Sequence, residues 1–228
     1  MSIRYLALAD ILGRIFICLY FIPAMIPKVF YLRDTFARDD LASIDFVMVA
    51  SIFTSLLFLG MICAVTITRL PPVRSTDHVE GYVTALAGTF LIGALVGYLP
   101  QEDVSTTTRM IGLVLTIIGL LASIYVLACL GRAFSIMPDA RTLVTSGPYS
   151  VVRHPLYLTE EIAVVGIIIL NLSVWSVALG VVHWMLQLRR MANEERILRT
   201  AFPHYDAYAA TVPRILPFTS AGKQMLAR

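Results

Sequence analysis

Four polar side chains recur at helical spacing late in an otherwise apolar chain. His183, Gln187, Arg190 and Glu194 stand at i, i+4, i+7 and i+11. That spacing sets all four on one face of a helix. An apolar helix turns such a stripe away from lipid, toward a cavity or a protein partner. The plainer alternative is a helix end whose charges snorkel to the headgroups, with Arg190 and Glu194 pairing as i,i+4 neighbours. A second polar block comes earlier, from Gly147 through Pro148, Tyr149, Arg153 and His154 to Tyr157. Arg153 and His154 offer donors to a carboxylate, and the two tyrosines offer ring faces and hydroxyls. A chain this apolar rarely carries so many hydrogen-bonding groups unless something polar binds. For Arg153 alone, a cytoplasmic connector rich in positive-inside residues explains as much.

The elements around these blocks follow from local rules. Proline breaks a helix interior but suits a first turn, so Pro155 predicts a helix start and Gly147–His154 a loop. Gly147-Pro148 is a turn signal. Unpaired N–H groups at the new helix start favour an anionic group. From Tyr157 to Asn171 there are only 15 residues, or about 22 Å of helix, against a hydrocarbon core of about 30 Å. Asn171-Leu172-Ser173 reads as a tight turn with Ser173 as N-cap of the next helix. The prediction is a short helical hairpin over 157–171 and 174–191, with one long helix from Tyr157 to Arg190 as the alternative.

Composition sets the class. The chain has 228 residues, 58% hydrophobic and 14% charged, where a soluble domain carries about a quarter charged. Further apolar runs at about 7–31, 46–68, 81–99 and 110–131 approach the roughly 20 residues that cross a bilayer. The expected fold is all-α: a polytopic transmembrane bundle of about six spans. It divides into an N-terminal four-span part (1–131), a core (132–218) and a tail (219–228). Arg and Lys concentrate on one face of that arrangement (Arg4, Arg69, Arg74, Arg132, Arg141, Arg153, Arg189, Arg190 and the tail). The positive-inside rule therefore puts both termini and both polar blocks in the cytoplasm. The first apolar run is too long for a signal peptide and carries Asp10 and Arg14. That i,i+4 pair reads as structural, its two charges neutralising each other or meeting another helix. One of Glu160 and Glu161 is expected to face the polar interior. A formal charge of +3 without a dense basic patch excludes nucleic acid as a partner. Cys18, Cys63 and Cys129 lie within apolar runs and read as packing residues. No CxxC or HExxH is present, and no metal is expected.

At these residues the chain resembles the isoprenylcysteine carboxyl methyltransferases and, more broadly, the phospholipid N-methyltransferases. The resemblance covers roughly 130–218. It rests on Leu143-Val144-Thr145-Ser146-Gly147-Pro148-Tyr149-Ser150 and on Arg153-His154-Pro155-Leu156-Tyr157. It continues through Arg190 with Glu194-Glu195, then Phe202, Tyr205, Tyr208 and Val212-Pro213 to Leu216-Pro217-Phe218. It implies an integral-membrane enzyme, of a bacterial inner membrane or endoplasmic reticulum, working at the cytoplasmic side. Its methyl donor would be S-adenosylmethionine. By position, Arg141, Thr142, Leu143, Val144, Tyr149, Arg153, His154, Pro155, Leu156, Tyr157, Glu194 and Glu195 would hold the cofactor. Arg190 and Gln187 would face a lipophilic acceptor entering from the bilayer, with Arg190 and Glu194 the catalytic pair. The nearest implied acceptor is a prenylcysteine-type carboxylate, with a phospholipid amine or a small thiol as alternatives. The family often has His where this chain has Arg141, and Gly where it has Thr159. Sterol reductases share a similar terminal bundle, so an NADPH-dependent reductase is the competing class. Paired acids at Glu194-Glu195 suit its extra phosphate poorly.

Overall fold

A computed structural model describes residues 3–37, 45–76, 78–95 and 103–217. Seven α-helices run through them: α1 Ile3–Phe36, α2 Phe46–Thr68, α3 Val79–Leu95, α4 Thr106–Leu130, α5 Pro155–Leu170, α6 Val174–Ala201 and α7 Tyr205–Thr211. The elements match the apolar runs closely, because a run of that length without a breaker satisfies its backbone only as a helix. Three stretches, Asp10–Phe36, Phe46–Thr68 and Thr106–Ala133, are long and apolar enough to cross a membrane, and Val79–Gly93 is a shorter apolar helix. Large apolar side chains such as Leu19, Val174 and Trp175 face outward, as lipid-facing surface does.

Three particulars depart from the sequence expectation. The fold is not purely helical: β1 (Arg74–Ser75) pairs antiparallel with β2 (Asp139–Ala140). This short ribbon ties the α2–α3 connection to the loop that leads into the first polar block. Next, α6 does not stop at the end of its apolar stretch near Met191 but continues to Ala201. Ala192, Glu194, Glu195, Arg196 and Leu198 are good helix formers, so the helix leaves the apolar zone without breaking. Finally, α5 begins at Pro155, where the proline predicts a helix start, two residues before the expected hairpin bound of Tyr157. The last four residues of the expected 81–99 run, Phe218 and the tail lie outside the described residues.

The α5–α6 hairpin forms at the expected turn. Ser173 Oγ accepts from Ser176 N at 3.1 Å, and Ser173 N donates back to Ser176 Oγ at 3.0 Å, a reciprocal cap. The tightest helix pair is α4 with α5, and small residues set its distance. A Cβ on Gly119 would stand 2.3 Å from Ala163 N, and one on Gly166 would stand 2.5 Å from Thr116 Oγ1. Thr159 lies in this same seam, where its Oγ1 accepts from Ser123 Oγ at 2.9 Å. Its departure from the family glycine therefore acts on helix packing. Beneath the polar blocks Leu127, Phe134, Ile136, Tyr149 and Leu156 form a buried cluster with Ile17 and Phe21 of α1.

Close backbone contact leaves the seam no room for an added methyl. Gly119→Ala is expected to destabilise the folded protein by about 1–3 kcal/mol, read as a lowered unfolding midpoint in detergent. Cys129→Ala, on an exposed side chain of the same helix, serves as the control and should leave the midpoint unchanged.

Candidate functional site

A cavity of about 930 Å³ runs between the helices and reaches the N-terminal end of α5 and the C-terminal half of α6. The whole stripe, His183, Gln187, Arg190 and Glu194, lines it. So do Thr142, Leu143, Val144, Tyr149, Arg153, His154, Leu156 and Tyr157 from the loop and the start of α5. The two polar blocks thus form walls of one space. Pro155 and Glu195 do not line it, although their sequence neighbours do. Proline occupies the first position of α5, where its missing N–H costs nothing.

The central contacts join the blocks directly. Tyr157 Oη donates to Glu194 Oε1, and the Tyr157 ring lies 5.1 Å below the Arg190 guanidinium. The His154 and Tyr157 rings meet edge to face at 5.5 Å. Arg190 does not pair with Glu194. Instead its Nη1 donates to Gln187 Oε1 at 2.8 Å and its Nη2 to the Ile136 carbonyl at 3.2 Å. Arg190 Nε is buried without a hydrogen-bond partner among the described residues. Gly88 of α3 makes room for this arrangement, since a Cβ there would stand 2.7 Å from Arg190 Cδ. A lone glycine in an apolar helix gave no sequence signal of that role.

Glu195 points the other way, into a buried ionic cluster. It is fully buried and accepts from Arg153 Nε and Nη2 at 3.0 Å, and from Arg214 at 3.0 and 2.8 Å. Arg199 donates to it at 3.2 Å, and His154 Nε2 lies 3.2 Å away. Arg153 also donates to the carbonyls of Ala209 and Val212. Backbone bonds from Arg153 N to Pro213 O and His154 N to Arg214 O complete the seam. Arg153 and Glu195, grouped from sequence as cofactor ligands, therefore hold the C-terminal segment over the cavity, where Tyr205 and Tyr208 form part of the wall. Burial alone would raise the Glu195 carboxyl, but hydrogen bonds from His154 and Arg214 and the charge of Arg153 outweigh it and hold it well below the usual range. Burial pushes the Tyr208 hydroxyl up to about 12, and burial followed by the nearby Glu194 charge holds Tyr149 well above its ordinary value. Both phenols stay protonated at neutral pH, and Tyr208 donates to the Tyr149 carbonyl at 2.5 Å.

Arg141 also belongs to the cavity lining, and its fully buried guanidinium bonds Asp10 Oδ1 at 2.7 Å, Asp139 Oδ2 at 3.1 Å and the Leu70 carbonyl. Asp10 also meets Arg14 at 2.7 Å and Arg69 at 2.8 Å. The expected Asp10–Arg14 pair exists, as one edge of a five-residue cluster joining α1, the end of α2 and β2. That cluster occupies both terminal nitrogens of Arg141, while its Nε is buried without a hydrogen-bond partner among the described residues. Glu160 lines the cavity, while Glu161 approaches His183 Nε2 at 3.0 Å. Among the described residues no group of three or more His, Cys, Asp or Glu is placed to hold a metal ion.

Residues 107–204 match the profile of the phospholipid methyltransferase family. The chain is 28% identical over 149 residues to the nickel-cobalt-cadmium resistance protein NccN of Alcaligenes xylosoxydans xylosoxydans, covering 62% of this chain and 66% of that protein. It is 36% identical over 77 residues to the cobalt-zinc-cadmium resistance protein CzcN of Cupriavidus metallidurans, covering 33% and 36%. Over 116 residues it is 32% identical to protein-S-isoprenylcysteine O-methyltransferase B of Arabidopsis thaliana, covering 48% and 59%. In each case the match spans less than two thirds of the relative's own length.

The Glu195 cluster carries a pH signature. Its carboxyl titrates lower in the folded chain than in the unfolded one, so its contribution is complete above about 4.5 and is lost as pH falls below that toward its folded value. Chemical denaturation between pH 3 and 7 should show stability dropping on the acid side. Glu195→Gln should cost up to about 3 kcal/mol at pH 7, chiefly by leaving the largely buried Arg153 without a counter-charge while the half-exposed Arg199 and Arg214 turn to solvent, and should flatten the acid slope.

Proposed function

Since the chain belongs to the membrane methyltransferase family that includes phospholipid and isoprenylcysteine methyltransferases, we propose that it is itself an integral-membrane methyltransferase. It takes a methyl group from S-adenosylmethionine and gives it to a lipophilic acceptor that enters from the bilayer. The observation that carries this reading is the joining of the two polar blocks through Tyr157, Glu194 and Arg190 at one end of a single cavity.

The residues present suit that cofactor. A cavity of about 930 Å³ falls within the range of small-molecule sites, roughly 300–1,000 Å³. Two buried polar atoms on its wall, Arg190 Nε and Tyr205 Oη, lack partners among the described residues, and each such atom favours a ligand that supplies one. The first turn of α5 presents backbone N–H groups at Leu156 and Tyr157 that no intrahelical carbonyl reaches. Those donors and His154 would hold the carboxylate end, and Glu194 the ammonium or the ribose hydroxyls. The cofactor, when bound, supplies an electrophilic methyl group on a sulfonium. Everything else asked of the protein is positioning and exclusion of water. Tyr205 and Tyr208 cover the cavity from the C-terminal segment, and Tyr157 sets Glu194 and Arg190 relative to each other. The acceptor's tail would lie along the apolar wall made by α1, α2, α4 and α5. Six spans, with both termini and the cofactor end on the cytoplasmic side, accommodate the distribution of Arg and Lys.

A competing reductase reading loses part of its original counter-argument, since Glu195 faces inward and the acids on the cavity wall are Glu194, Glu160 and Asp139. Of the cations there, Arg153 is already spent on Glu195 and Arg141 on Asp10 and Asp139, which leaves Arg190 and Lys28 to meet an extra phosphate.

Calorimetry on detergent-purified protein should detect S-adenosylmethionine with a dissociation constant between about 1 μM and 1 mM, the usual range for enzyme substrates. Glu194→Ala and Tyr157→Phe should each weaken it at least about tenfold, the worth of one charge-assisted hydrogen bond. NADPH should not bind. A folded protein with no cofactor affinity would end this reading, and unchanged affinity in both variants would move the site elsewhere.

A further inference from the structure

We propose that Glu161 and His183 form the general base of the acceptor half of the cavity, and that the acceptor is a lipophilic thiol or amine that gives up a proton when methylated. This rests on the methyltransferase reading above. His183 is only 4% exposed and lines the cavity. Its Nε2 lies 3.0 Å from Glu161 Oε1, yet the two are not aligned for a hydrogen bond. Both imidazole nitrogens and that carboxyl oxygen lack hydrogen-bond partners among the described residues. Leaving such groups unsatisfied costs roughly 1–3 kcal/mol apiece, so the arrangement is one built to be completed by a ligand. His183 stands seven residues before Arg190 on α6, about 10 Å deeper into the bilayer zone. It therefore lies on the tail side of the polar centre, beyond the groups assigned to the cofactor.

The charges around it select the acceptor's headgroup. From α5 come Glu160, on the cavity wall, and Glu161; from α6 come Arg190 and Glu194. Helix α3 adds Thr84, Gly88 and Thr89, and its Glu80 turns outward toward Arg189. Three carboxyl groups thus face one guanidinium, and Arg190 Nη1 and Nη2 each already hold an acceptor. A carboxylate acceptor would be a fourth acid in that space. A thiol or an amine brings the proton that the unpartnered base lacks. In the step, His183 takes the proton from the acceptor's S–H or N–H, and Glu161 stabilises the imidazolium. The freed electron pair on the acceptor atom forms the new bond to the methyl carbon as the old carbon–sulfur bond breaks, its pair staying on the departing sulfur, which becomes a neutral thioether. The proton then leaves His183 for water.

The test uses the whole protein in detergent, with 1-decanethiol, decylamine and decanoate as acceptors of equal tail. Transfer of labelled methyl should occur to the thiol or the amine and not to decanoate; the two protic arms distinguish which. His183→Ala and Glu161→Gln should each slow it by about 10²–10⁴-fold, the usual worth of a general base, with cofactor affinity unchanged and partial recovery at higher pH. Decanethiol bound beside S-adenosylhomocysteine should show the thiolate ultraviolet band at neutral pH in the wild type and not in Glu161→Gln, which keeps the side chain's size. Cofactor binding with neither a thiolate band nor transfer to thiol or amine overturns the base assignment. Equal turnover in both variants, or preference for decanoate, overturns it too. Each of those outcomes leaves the methyltransferase reading standing, whereas failure of the folded wild type to bind S-adenosylmethionine removes the reading beneath it.

Discussion

The end of the bundle that carries both polar blocks hangs on one buried carboxylate. Glu195 has no contact with solvent and receives bonds from Arg153, Arg199 and Arg214, with His154 beside it. These residues come from the α5 approach loop, from α6 and from the segment after α7. Three stretches far apart in sequence are fixed relative to each other by one side chain. Removing a charge from water is expensive, and only several close, well-aligned partners recover the cost. Here that supply is abundant, which is why the carboxyl stays ionised far below its usual range. The consequence for the cavity is geometric: with Glu195 turned inward, its neighbour Glu194 is turned outward to meet Tyr157.

That division of labour between adjacent acids explains what could be read in the sequence and what could not. Helical spacing sorts residues by face, so His183, Gln187, Arg190 and Glu194 were assignable to one wall, and all four line the cavity. Pro155 marked the start of α5, and Ser173 the cap of α6, because both act through their immediate neighbours. Arg153 and Glu195 belong to the same motif as their cavity-facing neighbours, and motif membership carries no information about direction. Their partners, Ala209, Val212 and Arg214, are long-range contacts that no local rule links to them. Arg141 was opaque for the same reason. Its partner Asp10 stands at the start of the chain, and a buried ion pair leaves no periodic trace.

The second ionic cluster does for the N-terminal helices what Glu195 does for the C-terminal segment. Asp10 draws Arg14, Arg69 and Arg141 together, and the β1–β2 ribbon holds Asp139 alongside. Van der Waals packing alone associates helices weakly in lipid, because the tails compete on equal terms. Charged anchors at the end of α1 give the apolar wall a fixed position against the methyltransferase-like half. The glycine seam between α4 and α5 then sets the other side of the cavity to backbone contact distance.

With both ends pinned, the cavity cannot be uniform. Its polar part is walled by tyrosines, histidine and a glutamate, while the part between α1, α2, α4 and α5 is walled by residues such as Phe21, Ile52, Phe58, Leu113 and Val164. A ligand that fills it must change polarity along its length, or two ligands must meet end to end. The proposed methyl transfer would need the second arrangement, with donor and acceptor aligned on one axis. Arg190, His183 and Glu160 stand at the junction of the two parts, where on that proposal a reacting headgroup would be drawn out of lipid and met by polar side chains. Gly88 belongs to this junction as well, since α3 approaches α6 closely enough to hold Arg190 against the Tyr157 ring only because that position has no side chain. On the proposed reading, selectivity for the acceptor's head would lie in α5 and α6, within the matched residues 107–204, while its tail would meet α4 and α5 inside that stretch and α1 and α2 outside it.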